Sequence, residues 1–445
     1  MTFLKHTGAV WLAVLYLPSL ALPLAAENRI DVIRPDAPEL AAYGPHRIGV
    51  REILLHHADQ PDIARAAKGD TLATIPRADR PLPVEIWYPA AADAEGATVV
   101  QTYLRDGHTR IDLHARAMVD AAPETGARYP LVIVSHGYPG NRFLMAPLAE
   151  NLASKGYVVA SIDHTDTTYS TLSSFASALV NRSEDQLFVL DQIARQEADP
   201  GSFLHGLVDA DTTAIIGYSM GGYGTLISAG AGLTEAAVTA REGMWSAPPG
   251  TLDQYRAGSA AFAAQHDPRI KAAIAFAPAG YRVGFFDDET LRGIHIPMLF
   301  IGGSRDDTVG YEDGVRPTFE AAVNSDRALL TFLGANHNVG APMPPPEEAF
   351  TFDPELNFNL ALHYLDFTWD NTRMNNISAH FATAWLDLYL KHDSDRERFL
   401  DLIPNSNDGG WDMQDGKPAA DHSYWAGFDR RTAQQLTFER RSAGQ

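Results

Sequence analysis

Two kinds of apolar spacing alternate along the chain. In 81-PLPVEIWYP-89, Val84, Ile86 and Tyr88 alternate with their neighbours, a period of two that predicts a strand. The segment 46-HRIGVREILL-55 has the same character, and the two are expected to pair as an antiparallel edge. The pattern then changes. The run 130-PLVIVSHG-137 is short, almost wholly apolar and closed by glycine, which suits a strand buried on both faces of a parallel sheet. Similar runs recur at 157-YVVASIDH-164, 212-TTAIIGYS-219, 270-IKAAIAFAPAG-280, 297-PMLFIGG-303 and 328-ALLTFLGA-335. Helical spacing fills the intervals. Phe143, Leu148 and Leu152 share a stripe within 142–155, which Gly156 ends, and Leu187, Leu190 and Ile193 share another within 184–196. A further helix over 376–391 aligns Ile377, Phe381, Ala384, Trp385 and Leu388, with Lys391 near its C-terminus.

Strands alternating with helices predict an α/β fold: a mostly parallel sheet, helices on both faces, and an antiparallel N-terminal edge. One domain over 27–445 accommodates the pattern, with insertions near 91–128, 231–266 and 343–373 placed over the site. Such loops gather at the carboxyl ends of parallel strands, where ligands bind. The insertions carry Trp245, Tyr255, Phe262, Tyr364, Phe367 and Trp369, which fit either an apolar binding wall or core.

Composition narrows the chemistry. With 35 Lys and Arg against 56 Asp and Glu the net charge is −21, which argues against nucleic-acid or anionic-membrane partners. The absence of cysteine excludes disulfides, thiolate metal sites and a cysteine nucleophile. Residues 1–26 read as a signal peptide: Lys5, an apolar run from Gly8 to Leu24 broken by Pro18 and Pro23, then Ala25-Ala26. Cleavage there would leave an exported protein, periplasmic or extracellular in a bacterium, with no later apolar run long enough for a membrane span.

The stretch 215-IIGYSMGGYG-224 carries the chemistry. Gly217-Tyr218-Ser219-Met220-Gly221 matches G-x-S-x-G between an expected strand and an expected helix, the context in which the serine is a strained, exposed nucleophile. A serine of ordinary pKa needs a base. His337, in 333-LGANHNVGAP-342 directly after a strand, is the candidate, while His380 falls within the last helix and reads as a packed side chain and His295 precedes a strand, at the wrong end. The acid should close the preceding strand, where 303-GSRDD-307 offers Asp306, preferred on its G-x-x-D spacing, and Asp307 as the alternative. For the oxyanion, backbone N–H groups are expected from Met220 and from Tyr138 in 135-SHGYPGNR-142, with His136 bracing that loop. There is no HExxH, EF-hand, phosphate loop or dinucleotide fingerprint, so neither metal nor cofactor is expected.

The combination of HGYPGNR, GYSMGGYG, GGSRDD and ANHNVGAPMP, with RPLPVEIWYP upstream and WDNTRMNNISAHFATAWLDLYL downstream, resembles the secreted predicted dienelactone hydrolase branch of the α/β-hydrolase superfamily over about residues 46–392. That branch is similar to platelet-activating-factor acetylhydrolases and, more distantly, to bacterial cutinases and polyester hydrolases. The resemblance implies an α/β-hydrolase fold, a Ser219, Asp306 and His337 triad, and a small-molecule or polymeric ester as substrate. One departure is plain: dienelactone hydrolases proper use cysteine, and this chain has none, so the dienelactone label does not give the substrate. Because one triad serves several bonds, an amidase or peptidase stays open beside the esterase, as does a catalytically retired binding protein.

Overall fold

The protein is described by a computed structural model over residues 27–445. The expected signal peptide, 1–26, lies outside the described residues. Strands β1 (Arg47–Pro61) and β2 (Arg77–Ala90) pair antiparallel, Ile53 opposite Val84, and β2 pairs antiparallel with β7 (Val158–Ile162). A hairpin of β3 (Val99–Tyr103) and β4 (Arg110–His114) stands apart. The two-residue β5 (Met118–Val119) joins the sheet beside β1. The parallel body comprises β7, β6 (Tyr129–Ser135), β8 (Val208–Tyr218), β9 (Ile270–Phe276), β10 (Met298–Gly303) and β11 (Arg327–Phe332). A C-terminal strand, Leu436–Arg441, closes the far edge antiparallel to β11, so the order is C-terminal strand, β11, β10, β9, β8, β6, β7, β2, β1, β5.

Side-chain alternation on β6 shows how the layers form. Val132 and Val134 face the buried cluster that also holds Leu148 and Leu152 of α1 (Ala146–Ala153) and Phe381 and Trp385 of the last long helix, Asn371–Leu390. Leu131 and Ile133 pack on the other face with Val189, Leu190 and Ile193 of α2 (Phe175–Ala198). Each of these buried aliphatic side chains contributes about 1.5–3 kcal/mol of transfer free energy. The chain leaves β6 by α1 to reach β7 on one side, then crosses by α2 to reach β8 on the other. Strand order therefore reverses at β6, and the carboxyl ends of β6 and β8 form the switch point at which ligands bind in open parallel sheets.

Besides the C-terminal strand, which the sequence did not reveal, three elements differ from the sequence expectation. Segment 91–128, read as an insertion, also supplies an edge strand to the main sheet. Helix α2 begins at Phe175, not near Glu184: its first turns bury Ala178, Leu179 and Val180 together with Ser177, Asn181, Arg182, Ser183, Asp185 and Gln186, so polar side chains interrupt the apolar period. The last long helix starts at Asn371 because the Asp370 side chain caps it, accepting the Arg373 N–H at 2.7 Å.

His380 is fully buried among the rings of Phe381, Phe399 and Phe428, with centroids 5.0–5.2 Å away. Its Nδ1 accepts the Leu40 N–H at 3.1 Å, which leaves no lone pair for a second proton there. Burial pushes its pKa down to about 3, and burial does the same to His164 and His363. Between pH 6.5 and 3 the unfolded chain therefore binds more protons at these positions, and stability falls as pH falls. Each histidine adds a slope of up to about 1.4 kcal/mol per pH unit. His380→Gln keeps an acceptor for Leu40 but cannot titrate, so urea denaturation of this variant between pH 7 and 4 is expected to show a shallower acid loss than the unsubstituted protein. Parallel slopes would refute the assignment.

Candidate active site

Strand β8 ends at Tyr218, and α3 (Met220–Ser228) starts immediately, so Ser219 alone makes the turn. It does so at φ 55°, ψ −113°, a conformation that non-glycine residues seldom adopt. The strain is held from both sides. The Ser219 N–H donates to the Phe276 carbonyl at 2.9 Å, and its carbonyl accepts the N–H groups of Tyr223 and Ala279 at 3.0 and 3.1 Å. The flanking glycines allow the chain to come this close. A Cβ on Gly217 would lie 2.2 Å from the Gly221 carbonyl oxygen, and one on Gly221 would lie 2.0 Å from that of Ser135.

His337 reaches this turn from the loop after β11. Its Nε2 is 3.0 Å from Ser219 Oγ, and its Nδ1 is 2.8 Å from Asp306 Oδ2. Asp306 is buried, and its second oxygen accepts the N–H groups of Thr308 and Val309 at 2.9 and 3.0 Å. Burial alone would raise its pKa, but the neighbouring His337 charge and these hydrogen bonds outweigh burial and hold the carboxyl below its ordinary range. Asp307, the alternative acid, is exposed and meets Arg282 Nη1 through its backbone carbonyl at 2.9 Å. Ser219, His337 and Asp306 are thus brought together, and Asp307 is not.

The loop after β6 brings Gly137 against the turn: a Cβ there would stand 3.4 Å from that of Ser219. The Tyr138 and Met220 N–H groups have no acceptor among the described residues. His136 is buried and neutral, its Nδ1–H on the Gly137 carbonyl at 2.7 Å and its Nε2 accepting the His164 N–H at 3.2 Å. The tyrosine ring continues outward through Phe175 to Trp245. Tyr255 and Tyr364 are core residues and Phe367 is exposed.

Sequence reasoning missed the tethers of the His337 loop. The Asn336 N–H donates to Asp366 at 2.6 Å. Asn338 accepts the Tyr218 hydroxyl at 2.9 Å and donates to the carbonyls of Leu362 and Leu365 at 3.2 and 2.7 Å. The asparagines flanking His337 were the only visible signal. A second constellation was also missed. Ser135 Oγ is 2.8 Å from His164 Nε2, whose Nδ1 is 2.8 Å from Asp185, all with at most 1% exposure. It repeats the connectivity of the first, with a shorter Ser–His distance, but has no access to solvent. Asp106, His108 and Asp353 bring potential ligand atoms within 4.8 Å of one another, although Asp106 already accepts the N–H groups of His108 and Thr109.

A family model described as PETase, PET hydrolase-like, matches residues 112–247, a span that includes Ser219 but ends before Asp306 and His337. The chain is similar to cutinase est2 of Thermobifida alba, 27% identical over 279 residues covering 62% of this chain and 65% of that one. It is also similar to platelet-activating factor acetylhydrolase of Cavia porcellus, 24% identical over 163 residues and 35% of each chain. The match to est2 thus spans just under two thirds of that cutinase's length. A ferulic acid esterase structure from Streptomyces cinnamoneus superposes with TM-score 0.53 at 21% identity, covering 82% of this chain and 94% of that one, which shows a shared fold. The sequence likenesses support a cutinase-like relationship, and the structural one shows a fold shared with an esterase.

Proposed function

From that relationship, we propose that the protein is a serine hydrolase of carboxylic esters, acting through an acyl-enzyme. Ser219 Oγ attacks the acyl carbonyl while His337 Nε2 takes its proton. Asp306 holds the imidazole tautomer and stabilises the imidazolium. The Met220 and Tyr138 N–H groups receive the developing oxyanion, each such donor worth about 3 kcal/mol of barrier. His337 then protonates the leaving alcohol, and water, activated by the same base, releases the acid. The observation that carries this reading is the hydrogen-bonded series Ser219, His337 and Asp306 at 3.0 and 2.8 Å, ending on a serine at φ 55°. The substrate is a small-molecule or polymeric ester. No helix among the described residues is long and apolar enough to cross a membrane. The leader-like residues 1–26 support export of 27–445 as one catalytic unit.

The test is labelling with a fluorophosphonate, followed by peptide mapping, alongside hydrolysis of p-nitrophenyl esters and aminoacyl p-nitroanilides. A label on Ser219 with ester turnover well above anilide turnover is the expected result. Faster anilide cleavage would make the protein an amidase or peptidase, and an unlabelled Ser219 in folded protein would make it a binding protein.

A further inference from the structure

Arg182 is a buried cation without a carboxylate. Its side chain is fully enclosed, projecting from α2 beneath the loop after β6. Asp185, the acid nearest in sequence, is occupied by two bonds from Arg80 at 2.8 and 2.9 Å and by His164 at 2.8 Å. No ion pair reaches Arg182 among the described residues, and its Nε has no partner. Burial pushes the guanidinium pKa down to about 9, so the charge is held at a cost. Its contacts lie around Gly137: Nη2 donates to the Gly137 carbonyl at 2.9 Å and to Thr167 Oγ1 at 3.0 Å, and Nη1 stands 3.5 Å from His136 Nδ1. The same carbonyl accepts His136 Nδ1–H at 2.7 Å.

The Gly137–Tyr138 peptide is planar and trans, so its C=O and N–H point in opposite directions. Two donors fixing the carbonyl on the buried side turn the N–H to the side where Gly137 meets Ser219. We propose that Arg182 is a positioning residue for the oxyanion site: it clamps the Gly137 carbonyl and thereby aims and polarises the Tyr138 N–H. A donor whose own carbonyl is bonded to a cation is the stronger donor, since bonds along a chain of peptides reinforce one another. The positive charge also stands behind the place where negative charge develops, in a buried site where such charges act strongly. This explains why an arginine is kept in a place where a neutral side chain would be less costly to bury.

The inference rests on the serine-esterase reading, and the test separates the two. Arg182→Met, Arg182→Lys and Ser219→Ala are compared on p-nitrophenyl butyrate, with turnover counted per site titrated by fluorophosphonate for the arginine variants. Arg182→Met is expected to lower kcat about 10²–10³-fold with KM within a few-fold, as for loss of an oxyanion donor. Arg182→Lys, which keeps charge and one donor, recovers at least tenfold of that loss. Affinity for a trifluoromethyl ketone, which forms the tetrahedral adduct, falls in step with kcat/KM across the series, a correlation that a merely structural role would not produce. Where Arg182→Met does not fold, Arg182→Gln carries the same test, with at least a tenfold fall expected. Wild-type kcat per titrated site in the neutral variant overturns the positioning role, while an active Ser219→Ala overturns the reading beneath it.

Discussion

Ser219→Ala is expected to lower kcat for p-nitrophenyl butyrate by about 10⁶-fold, with KM changed far less, because it removes the nucleophile and leaves the binding surfaces intact. Residual turnover of about 10³–10⁴-fold over water is expected from the oxyanion donors and positioning alone. The side chain lost is small and sits in a turn held by backbone bonds from Phe276, Tyr223 and Ala279, so the variant should fold normally. Thermal denaturation of the purified variant checks this. Activity near the wild-type level in the folded variant would show that another group carries the reaction. The buried Ser135 does not supply it, because it has no solvent access.

The second large effect belongs to the acid. Asp306→Asn preserves shape but turns an acceptor into a group that can donate toward His337 Nδ1, which favours the wrong imidazole tautomer. A fall in kcat of about 10⁴-fold is expected, as for the equivalent change in serine proteases. Asp307→Asn, one residue on, is expected to leave kcat within twofold, since that side chain is exposed and away from the imidazole. Steady-state kinetics of the two variants side by side decide the matter. A large loss in Asp307→Asn with little in Asp306→Asn would reverse the assignment.

The parts of the site that sequence showed clearly are those where chemistry and local backbone constrain the same few residues. Gly217 and Gly221 flank Ser219 because neither position has room for a Cβ, and that need is visible as a motif. His337 and Asp306 each follow a buried apolar strand, so period and chain order together pointed to them. The first turns of α2 were not visible, because the buried Ala178, Leu179 and Val180 are interleaved with the buried polar Ser177, Asn181, Arg182 and Gln186, which breaks the apolar period. The Ser135, His164 and Asp185 constellation was hidden for another reason. Its members lie on two neighbouring strand ends and a helix, and only the pairing of β6 with β7 makes them adjacent. The C-terminal strand Leu436–Arg441 is a short half-polar run whose role depends on an exposed sheet edge elsewhere in the chain.

The tethers of the His337 loop bear on how the proposed specificity could be altered. Asp366, Leu362 and Leu365 belong to the segment 343–373, a connection of the kind that commonly varies in length and composition more than a sheet does. Here that segment also holds both neighbours of His337, Asn336 and Asn338. Grafting this segment from a relative to change specificity would detach the scaffolding of the imidazole unless the partners of Asn336 and Asn338 travel with it, so the loop is not an exchangeable cassette.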